Sequence, residues 1–352
     1  PESQPDVYAA LRSVPLGTVR TAFSPAVHQR SAGWALGWLA VDLTLYAAGL
    51  TGVFVVDPVW ARLVLGLLTG LAVACLFIWA HDAAHGSLFR SDRWSELLGT
   101  AAMLPSLQMY RLWVLGHNRV HHGFTSLSPI DWIWRPLTPE EYRQRSRWVR
   151  AVYRVERHPA GCGLHYLLRV WWPGMVRFRP AGPARRHGTY RWSKLVTLTY
   201  ALAFGGLAYR FAGGWVGVVA ALVLPFVVFT YVIALVVYLH HTHPQVPFFL
   251  DRREWSPAIG QLACTTVVRS NRLVEALTHN ILIHTPHHVD SRIPFYRLKG
   301  AYADLRPAYG DFIHEYRLRW RTVRAIFRTC QLYEFDTRTW RRFSEVEEPV
   351  RR

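Results

Sequence analysis

The stretch His284-Thr285-Pro286-His287-His288 places three imidazole side chains within five residues. Three other short stretches resemble it, and they read His81-Asp-Ala-Ala-His85, His117-Asn-Arg-Val-His121-His122 and His240-His241-Thr-His243. Of the 17 histidines in the chain, these four stretches contain eleven, more than an even scatter would gather. Neutral imidazole is the usual protein ligand for iron, zinc, copper and nickel. We therefore predict a polynuclear metal centre built from these stretches.

The spacing within three of the stretches suits metal binding from a helix. Residues four apart lie on one face of an α-helix, and the pairs His81–His85, His117–His121 and His284–His288 have this separation. Such a pair can hold one ion, and the adjacent His122 or His287 can reach a second. A structural zinc site closes at four ligands, so the number of histidines favours two ions with positions left open for oxygen.

Long apolar runs lead directly into two of the histidine stretches. The run 60–80 ends at His81 and the run 215–239 ends at His240, while two further runs cover 33–56 and 195–211. An apolar stretch of about 20 residues can cross a bilayer as a helix. We predict an all-α integral membrane protein with four transmembrane helices and a cytoplasmic helical cap that holds the histidines.

The arginines indicate the orientation in the membrane. We divide the chain into an N-terminal arm at 1–32, a membrane domain at 33–336 and a charged C-terminal tail at 337–352. Arg62 and Arg210 lie in the two short turns between paired spans, whereas the segments that carry the histidines hold most of the other arginines. Positive residues mark the cytoplasmic side. Both termini and the metal centre are therefore predicted to be cytoplasmic, with the spans in the cell inner membrane.

The composition separates the possible classes of partner. The net charge of +18 is carried almost wholly by arginine, because the only lysines are Lys194 and Lys299. Together with an apolar content of 51%, this charge favours membrane lipid or an acidic redox protein as the partner, and not nucleic acid. The four cysteines have no paired spacing, so neither a disulfide framework nor an iron–sulfur motif is predicted.

The stretches His81–His85, His117–His122 and His284–His288 resemble, in this order, the first, second and third histidine boxes of the integral-membrane fatty acid desaturases and hydroxylases. The segment Tyr238-Leu-His-His-Thr-His-Pro244 is similar to the His-Thr-His-Pro stretch of acyl-lipid desaturases. The segment His279-Asn-Ile-Leu-Ile-His284, followed by Ile293-Pro-Phe-Tyr296, is similar to the region of their third box. The resemblance implies a non-haem centre of two iron ions, O2 as the oxidant and electrons from an external donor such as ferredoxin. It also implies an acyl substrate bound to a lipid, coenzyme A or a carrier protein.

The resemblance also implies which residues bind the metal. Carried over residue by residue, the box ligands are His81, His85, His117, His121, His122, His284, His287 and His288. His241 is the expected ninth ligand and His243 is its rival. His240 is a ligand, a neighbour that fixes a tautomer or a solvated residue.

Two further groups of residues are expected to support the centre. Four residues next to the boxes are expected to orient the ligands by hydrogen bonds, namely Asp82, His279, Asn280 and Asp290. Asp131, Trp132 and Arg135 lie in one aromatic motif that is expected to contact the acyl headgroup. An aromatic belt at the membrane interface explains that motif equally well.

We therefore expect an oxidoreductase that introduces a double bond into a fatty acyl chain. An unactivated C–H bond offers no polar handle to an acid or base, so its hydrogen must be removed by an oxidant generated at a metal. A hydroxylase or ketolase acting on a lipid-like natural product would use the same ligands, and only its product would differ. A membrane haem electron carrier or a metal transporter fits less well, because the histidines cluster at the ends of the spans and none lies inside one.

Overall fold

The computed structural model describes residues 7–178 and 189–347. Residues 1–6 and 348–352, which belong to the predicted arm and tail, lie outside the described residues. Most of the described chain is helical, as expected. The chain divides into two units. One contains residues 30–118 and 162–235, and is named here the apolar unit; the other contains 1–29, 119–161 and 236–352, and is named the polar unit.

Three helices are long and apolar enough to cross a membrane, namely Ala32–Val55, Val59–Ala84 and Trp215–His241. The third of them passes from the apolar unit into the polar unit at Val236. Several of their large apolar side chains face outward, including Leu36 at 65% and Leu68 at 54% exposure. Many exposed apolar side chains on helices of this length are typical of a protein that contacts lipid. Three of the four predicted spans therefore correspond to helices that are long and apolar enough to cross a membrane.

The remaining helices of the apolar unit are shorter or more polar. They are Asp92–Met103, Tyr110–Val114, Cys162–His165, Thr189–Phe211 and the π-helix Tyr166–Arg177, with a 3-10 turn at Leu104–Ser106. The predicted span 195–211 lies within Thr189–Phe211, which is not among the three helices of spanning character. Arg191, Lys194 and several tyrosines lower its mean hydropathy.

Small residues bring two of the long helices together. A Cβ atom added at Gly70 would lie 2.5 Å from Cβ of Val228, and one added at Gly66 would overlap the carbonyl oxygen of Ala220. Glycines four residues apart let helix backbones approach closely in a membrane. Asp42 on the first long helix also joins this packing, because its buried carboxylate accepts a hydrogen bond from Nε1 of Trp79 at 2.6 Å.

Gly70→Leu is expected to destabilise the apolar unit. The added side chain would force apart the helices that carry Gly70 and Val228, and overpacking of this kind costs about 1–3 kcal/mol. The midpoint of thermal unfolding in detergent should therefore fall. Gly37→Leu is the matched control, since a Cβ there would meet nothing within 4 Å. Equal midpoints for the two variants would show that the close approach at Gly70 does not matter for stability.

The polar unit combines short helices with two small sheets. Strand β1 (Thr266–Arg269) pairs in parallel with β2 (His314–Arg317), and β3 (Leu332–Glu334) pairs antiparallel with β4 (Thr339–Arg341). The all-α prediction missed these strands, because three or four residues are too few for an alternating pattern to be a signal. The helices of the unit are Ala9–Arg12, Leu16–Arg20, Pro139–Gln144, Arg147–Glu156, Pro257–Leu262, Arg272–Leu277, His284–Val289, Leu298–Tyr309, Trp320–Thr329 and Phe343–Glu347, with 3-10 turns at Pro25–His28, Phe295–Arg297 and Gly310–Phe312.

Parts of the predicted arm and tail are folded into the polar unit. In the arm, Nε of Arg20 donates a hydrogen bond at 2.7 Å to the carbonyl of Val289, at the end of the third histidine box. In the tail, Nε1 of Trp340 donates to the carbonyl of His243 at 3.0 Å, and Phe343 stacks on Tyr142. These aromatic side chains give the charged tail the apolar contacts that its composition did not suggest.

Candidate metal centre

Three of the predicted ligands lie together in the apolar unit, and they are named here the first histidine set: His81, His85 and His117. Their ring centroids are 4.8, 5.0 and 5.1 Å apart. One nitrogen of each ring lies within 4.8 Å of the others, which is close enough for a shared ion after small rotations. His81 and His85 occupy the last turn of the helix Val59–Ala84 and its C-cap.

The surroundings of the first set orient its rings. The Nδ1–H group of His81 donates to the buried carboxylate of Asp82, with 3.0 Å between Nδ1 and Oδ1. This hydrogen bond leaves Nε2 of His81 as the nitrogen available to a metal. Trp113 stacks on His117 with 4.1 Å between ring centroids, and Asn118 donates to the carbonyl of Ala84 at 2.7 Å. The imidazoles of the first set are therefore held in place by Trp113 and by the end of the helix that carries His81.

A second histidine set lies in the polar unit and consists of His121, His241 and His288. All three side chains are buried, and one nitrogen of each lies within 4.8 Å of the others. Nε2 of His121 and Nε2 of His241 are 3.1 Å apart. With metal–nitrogen bonds of about 2.1 Å, two nitrogens bound at right angles to one ion would lie about 3.0 Å apart. The observed separation is therefore close to that of two nitrogens bound at right angles to one ion.

The outer nitrogen of every ring in the second set has a hydrogen-bond acceptor. Nδ1 of His121 donates to Oδ2 of Asp131 at 3.0 Å, and Nδ1 of His241 donates to the carbonyl of Cys264 at 3.2 Å. Nδ1 of His288 donates to Oε1 of Gln261 at 2.7 Å. Nε2 of His288 is buried and has no hydrogen-bond partner among the described residues. Three inward Nε2 atoms with fixed tautomers suit a metal ion.

The other box histidines of the polar unit pack around the second set. His122 stacks on His288 with 4.0 Å between centroids, and His287 lies 4.9 Å from His122. His284 stacks on His240 at 3.8 Å and lies 4.5 Å from His288. In the part of the chain that the structure describes, the buried Nδ1 of His284 lacks a hydrogen-bond partner.

The structure separates His243 from these histidines. Its ring stacks on Tyr316 at 5.2 Å and lies 6.2 Å from the ring of His314. Its Nδ1 atom accepts a hydrogen bond from the backbone N–H of Gln245 at 3.3 Å. Of the two candidates for the ninth ligand, His241 therefore lies beside the box histidines and His243 lies beside Tyr316 and His314.

Burial keeps the third-box histidines in the form that binds metals. It lowers the pKa of His284 and His288 well below the ordinary value for histidine, and the neighbouring histidines lower it further. Both imidazoles are therefore neutral at pH 7, with a lone pair available for a metal ion.

The second box is divided differently from the expected pairing. His117 belongs to the first set and His121 to the second, so these two residues do not form one i, i+4 clamp. The chain is π-helical from Leu115 to His121, whereas the spacing argument assumes an α-helix. Single π-helical turns of this kind are frequent at functional sites.

Two carboxylates have contacts other than those expected from the sequence. Instead of facing an acyl headgroup, Asp131 is buried and accepts hydrogen bonds from His121 and from the N–H groups of Ser126 and Ile133. Instead of orienting a box histidine, Asp290 contacts His28 and Arg292, and those are its only side-chain partners among the described residues.

The remaining predicted residues lie in turns or near the surface. His279 and Asn280 form the turn before the third box and have positive φ angles of 49° and 59°. Trp132 is 38% exposed, and Arg135 forms an ion pair with Glu141 at 2.7 Å. Gln261 and the carbonyl of Cys264 accept hydrogen bonds from His288 and His241. No pattern in the sequence indicates either of these acceptors.

Comparison with known proteins agrees with this geometry. The sequence profile named "Fatty acid desaturase" matches residues 58–320, which include every histidine of both sets. An sn-1 oleoyl-lipid 12-desaturase of Picosynechococcus sp. is 31% identical over 308 residues, which cover 85% of each chain. The chloroplastic omega-6 fatty acid desaturase of Glycine max is 28% identical and covers 84% of this chain and 68% of its own. The resemblance that the histidine boxes indicate is thereby confirmed, and the chain belongs to the fatty acid desaturase family of oxidoreductases.

Proposed function

We propose that this protein is an O2-dependent fatty acyl desaturase with a non-haem di-iron centre. The observation that carries the proposal is the second histidine set, in which three buried imidazoles have their Nδ1 atoms engaged and their Nε2 atoms directed inward. One iron ion would be held by His121, His241 and His288, and the other by the first set. The other box histidines, His122, His284 and His287, would complete the ligands.

The reaction balances with dioxygen and two electrons. A –CH2–CH2– unit, O2, two protons and two electrons give –CH=CH– and two molecules of water. Bound iron would supply the activation of O2 that this reaction needs. Burial, which lowers the pKa of His284 and His288, keeps the nitrogens of these two residues unprotonated, Asp131 fixes the tautomer of His121, and Trp113 stacks on His117.

We propose an oleoyl chain on a membrane lipid as the substrate, with the new double bond at position 12. The support is the names of the relatives, which are oleoyl-lipid 12-desaturases and omega-6 fatty acid desaturases over more than four-fifths of this chain. Three apolar helices of spanning length would place the protein in the same membrane as such a lipid.

We propose Thr189–Phe211 as a fourth span. It exposes Leu195, Leu198 and Leu202, each at 50% or more, as expected for a helix in contact with lipid. With Arg62 and Arg210 in the two short turns, four spans would put both termini and the histidines on the cytoplasmic side of the cell inner membrane. An external ferredoxin-like donor would then deliver electrons from the cytoplasm.

Expression of the chain in a host supplied with oleic acid, together with a ferredoxin and its reductase, is expected to yield membrane lipids with acyl chains lighter by two hydrogens. Mass spectrometry of the lipids would measure the change, and a host with the empty vector is the control. Chains heavier by one oxygen would identify a hydroxylase instead. Unchanged lipids from cells that contain the iron-loaded protein would refute the proposal.

A further inference from the structure

The polar unit exposes a dense row of arginines near its C-terminal end. This arginine surface spans the end of β2 and the helix Trp320–Thr329, and it consists of Arg317, Arg319, Arg321, Arg324 and Arg328. All five are exposed. None of them has a side-chain hydrogen bond or an ion pair within the described ranges. Five uncompensated positive charges on one short segment attract anions strongly.

The helix Trp320–Thr329, which carries Arg321, Arg324 and Arg328, buries its apolar face inside the protein. Val323, Ile326 and Phe327 are buried, at 5%, 2% and 1% exposure. Its outward face therefore carries arginines and Ala325, and Trp320 at its start is its one exposed large apolar side chain. A helix that lies in a membrane surface needs an apolar face for the lipid. This helix has none left, so its charge suits a water-soluble anionic partner.

A second arginine-rich helix of the polar unit shows the contrast. Arg147–Glu156 exposes Trp148 at 77%, Val149 at 40% and Val155 at 48% among its arginines. Exposed aromatic and aliphatic side chains mixed with arginine are typical of contact with a membrane interface. Both helices are rich in arginine, but Trp320–Thr329 exposes one large apolar side chain, Trp320, whereas Arg147–Glu156 exposes three.

The arginine surface lies on the far side of residues that hold the end of the helix carrying His241. Phe327 stacks on Tyr238 with 4.0 Å between centroids, and the hydroxyl of Tyr238 donates to the carbonyl of Cys330 at 3.1 Å. Tyr316, next to Arg317, donates its hydroxyl proton to the carbonyl of Leu239 at 2.8 Å. The segment that carries the arginine surface therefore contacts the end of the helix that carries His241.

We propose that the arginine surface is the docking site of the acidic electron-carrier protein that reduces the metal centre. The inference rests on the proposed function, which requires two electrons for each double bond. A one-electron carrier would bind twice per turnover, and each time it would be oxidised while the centre is reduced. The electrons end in the water formed from O2. Attraction between exposed opposite charges raises the rate of association and weakens with salt.

The test uses the full iron-loaded protein in detergent with an oleoyl lipid, and an acidic plant-type [2Fe–2S] ferredoxin kept reduced by NADPH and ferredoxin reductase. The double variant R321E/R324E should raise the KM for ferredoxin by about tenfold or more and flatten its dependence on salt, with kcat at saturating ferredoxin unchanged. R145E/R147E makes the same change of charge near the helix Arg147–Glu156 and should leave the KM for ferredoxin unaltered.

A single turnover with dithionite in place of ferredoxin separates docking from catalysis. R321E/R324E should then form as much desaturated product as the unaltered protein, which would show that its centre is intact. A normal KM for ferredoxin in R321E/R324E would overturn the docking site. If R321E/R324E with a normal KM also lost binding to vesicles containing phosphatidylglycerol, the arginine surface would be identified as a lipid contact. Lack of product from the unaltered protein with dithionite would instead refute the desaturase function, and the docking proposal with it.

Discussion

His241→Ala is expected to remove most of the bound iron and to lower desaturation by more than about 100-fold, whereas His243→Ala should retain both. His241 lies among buried imidazoles, with its Nε2 atom 3.1 Å from that of His121. His243 lies beside Tyr316 and His314 instead. The loss of a hydrogen-bond partner of a ligand typically costs 10–100-fold, and the loss of a ligand should exceed that.

Iron per chain in the purified protein and the yield of desaturated lipid are the two measurements for this pair. The pair is well matched, because both variants remove one imidazole from the same short stretch. Thermal unfolding of each variant would show whether the fold survives. Loss of iron from His243→Ala, with iron retained by His241→Ala, would assign the ninth ligand to His243 and contradict the arrangement of the second set.

The predictions that agree with the structure rest on local signals. The histidine boxes are short, dense and ordered along the chain, and the apolar runs 33–56, 60–80 and 215–239 are long enough to read as spans without any tertiary information. The i, i+4 spacing likewise anticipates the short distances between His81 and His85 and between His284 and His288. Each of these features is decided by residues that are close together in sequence.

The features that sequence reasoning missed depend on contacts between distant residues. Gln261 reaches His288 across 27 positions, and β1 pairs with β2 across more than 40. Asp131 is ten positions from His121 and sits in an aromatic motif that equally suits a membrane interface. Nothing in its neighbours indicates that its carboxylate turns inward. The division of the second box between the two sets also depends on a π-helical stretch, for which sequence periodicity gives no signal.

Asp131→Asn is expected to weaken iron binding or activity by about 10–100-fold, even though the side chain hardly changes in size. The carboxylate accepts three hydrogen bonds: Oδ2 from Nδ1 of His121 and the N–H of Ser126, and Oδ1 from the N–H of Ile133. Asparagine has one oxygen and one NH2 group. Whichever way the amide is turned, its NH2 group faces a donor, and a buried donor without an acceptor costs about 1–3 kcal/mol.

The two orientations of the amide in Asp131→Asn have different consequences for the ligand. If the amide oxygen accepts from Ile133, the NH2 group faces Nδ1 of His121, which favours the tautomer protonated at Nε2, and Nε2 can then no longer bind iron. If the oxygen faces His121, the strain falls on the loop at Ile133 and the negative charge behind the ligand is still lost. Asp251→Asn is the matched control, because Asp251 forms a surface ion pair with Arg253. Titration of iron against a competing chelator would measure the affinity, and equal dissociation constants for Asp131→Asn and Asp251→Asn would show that Asp131 does not position His121.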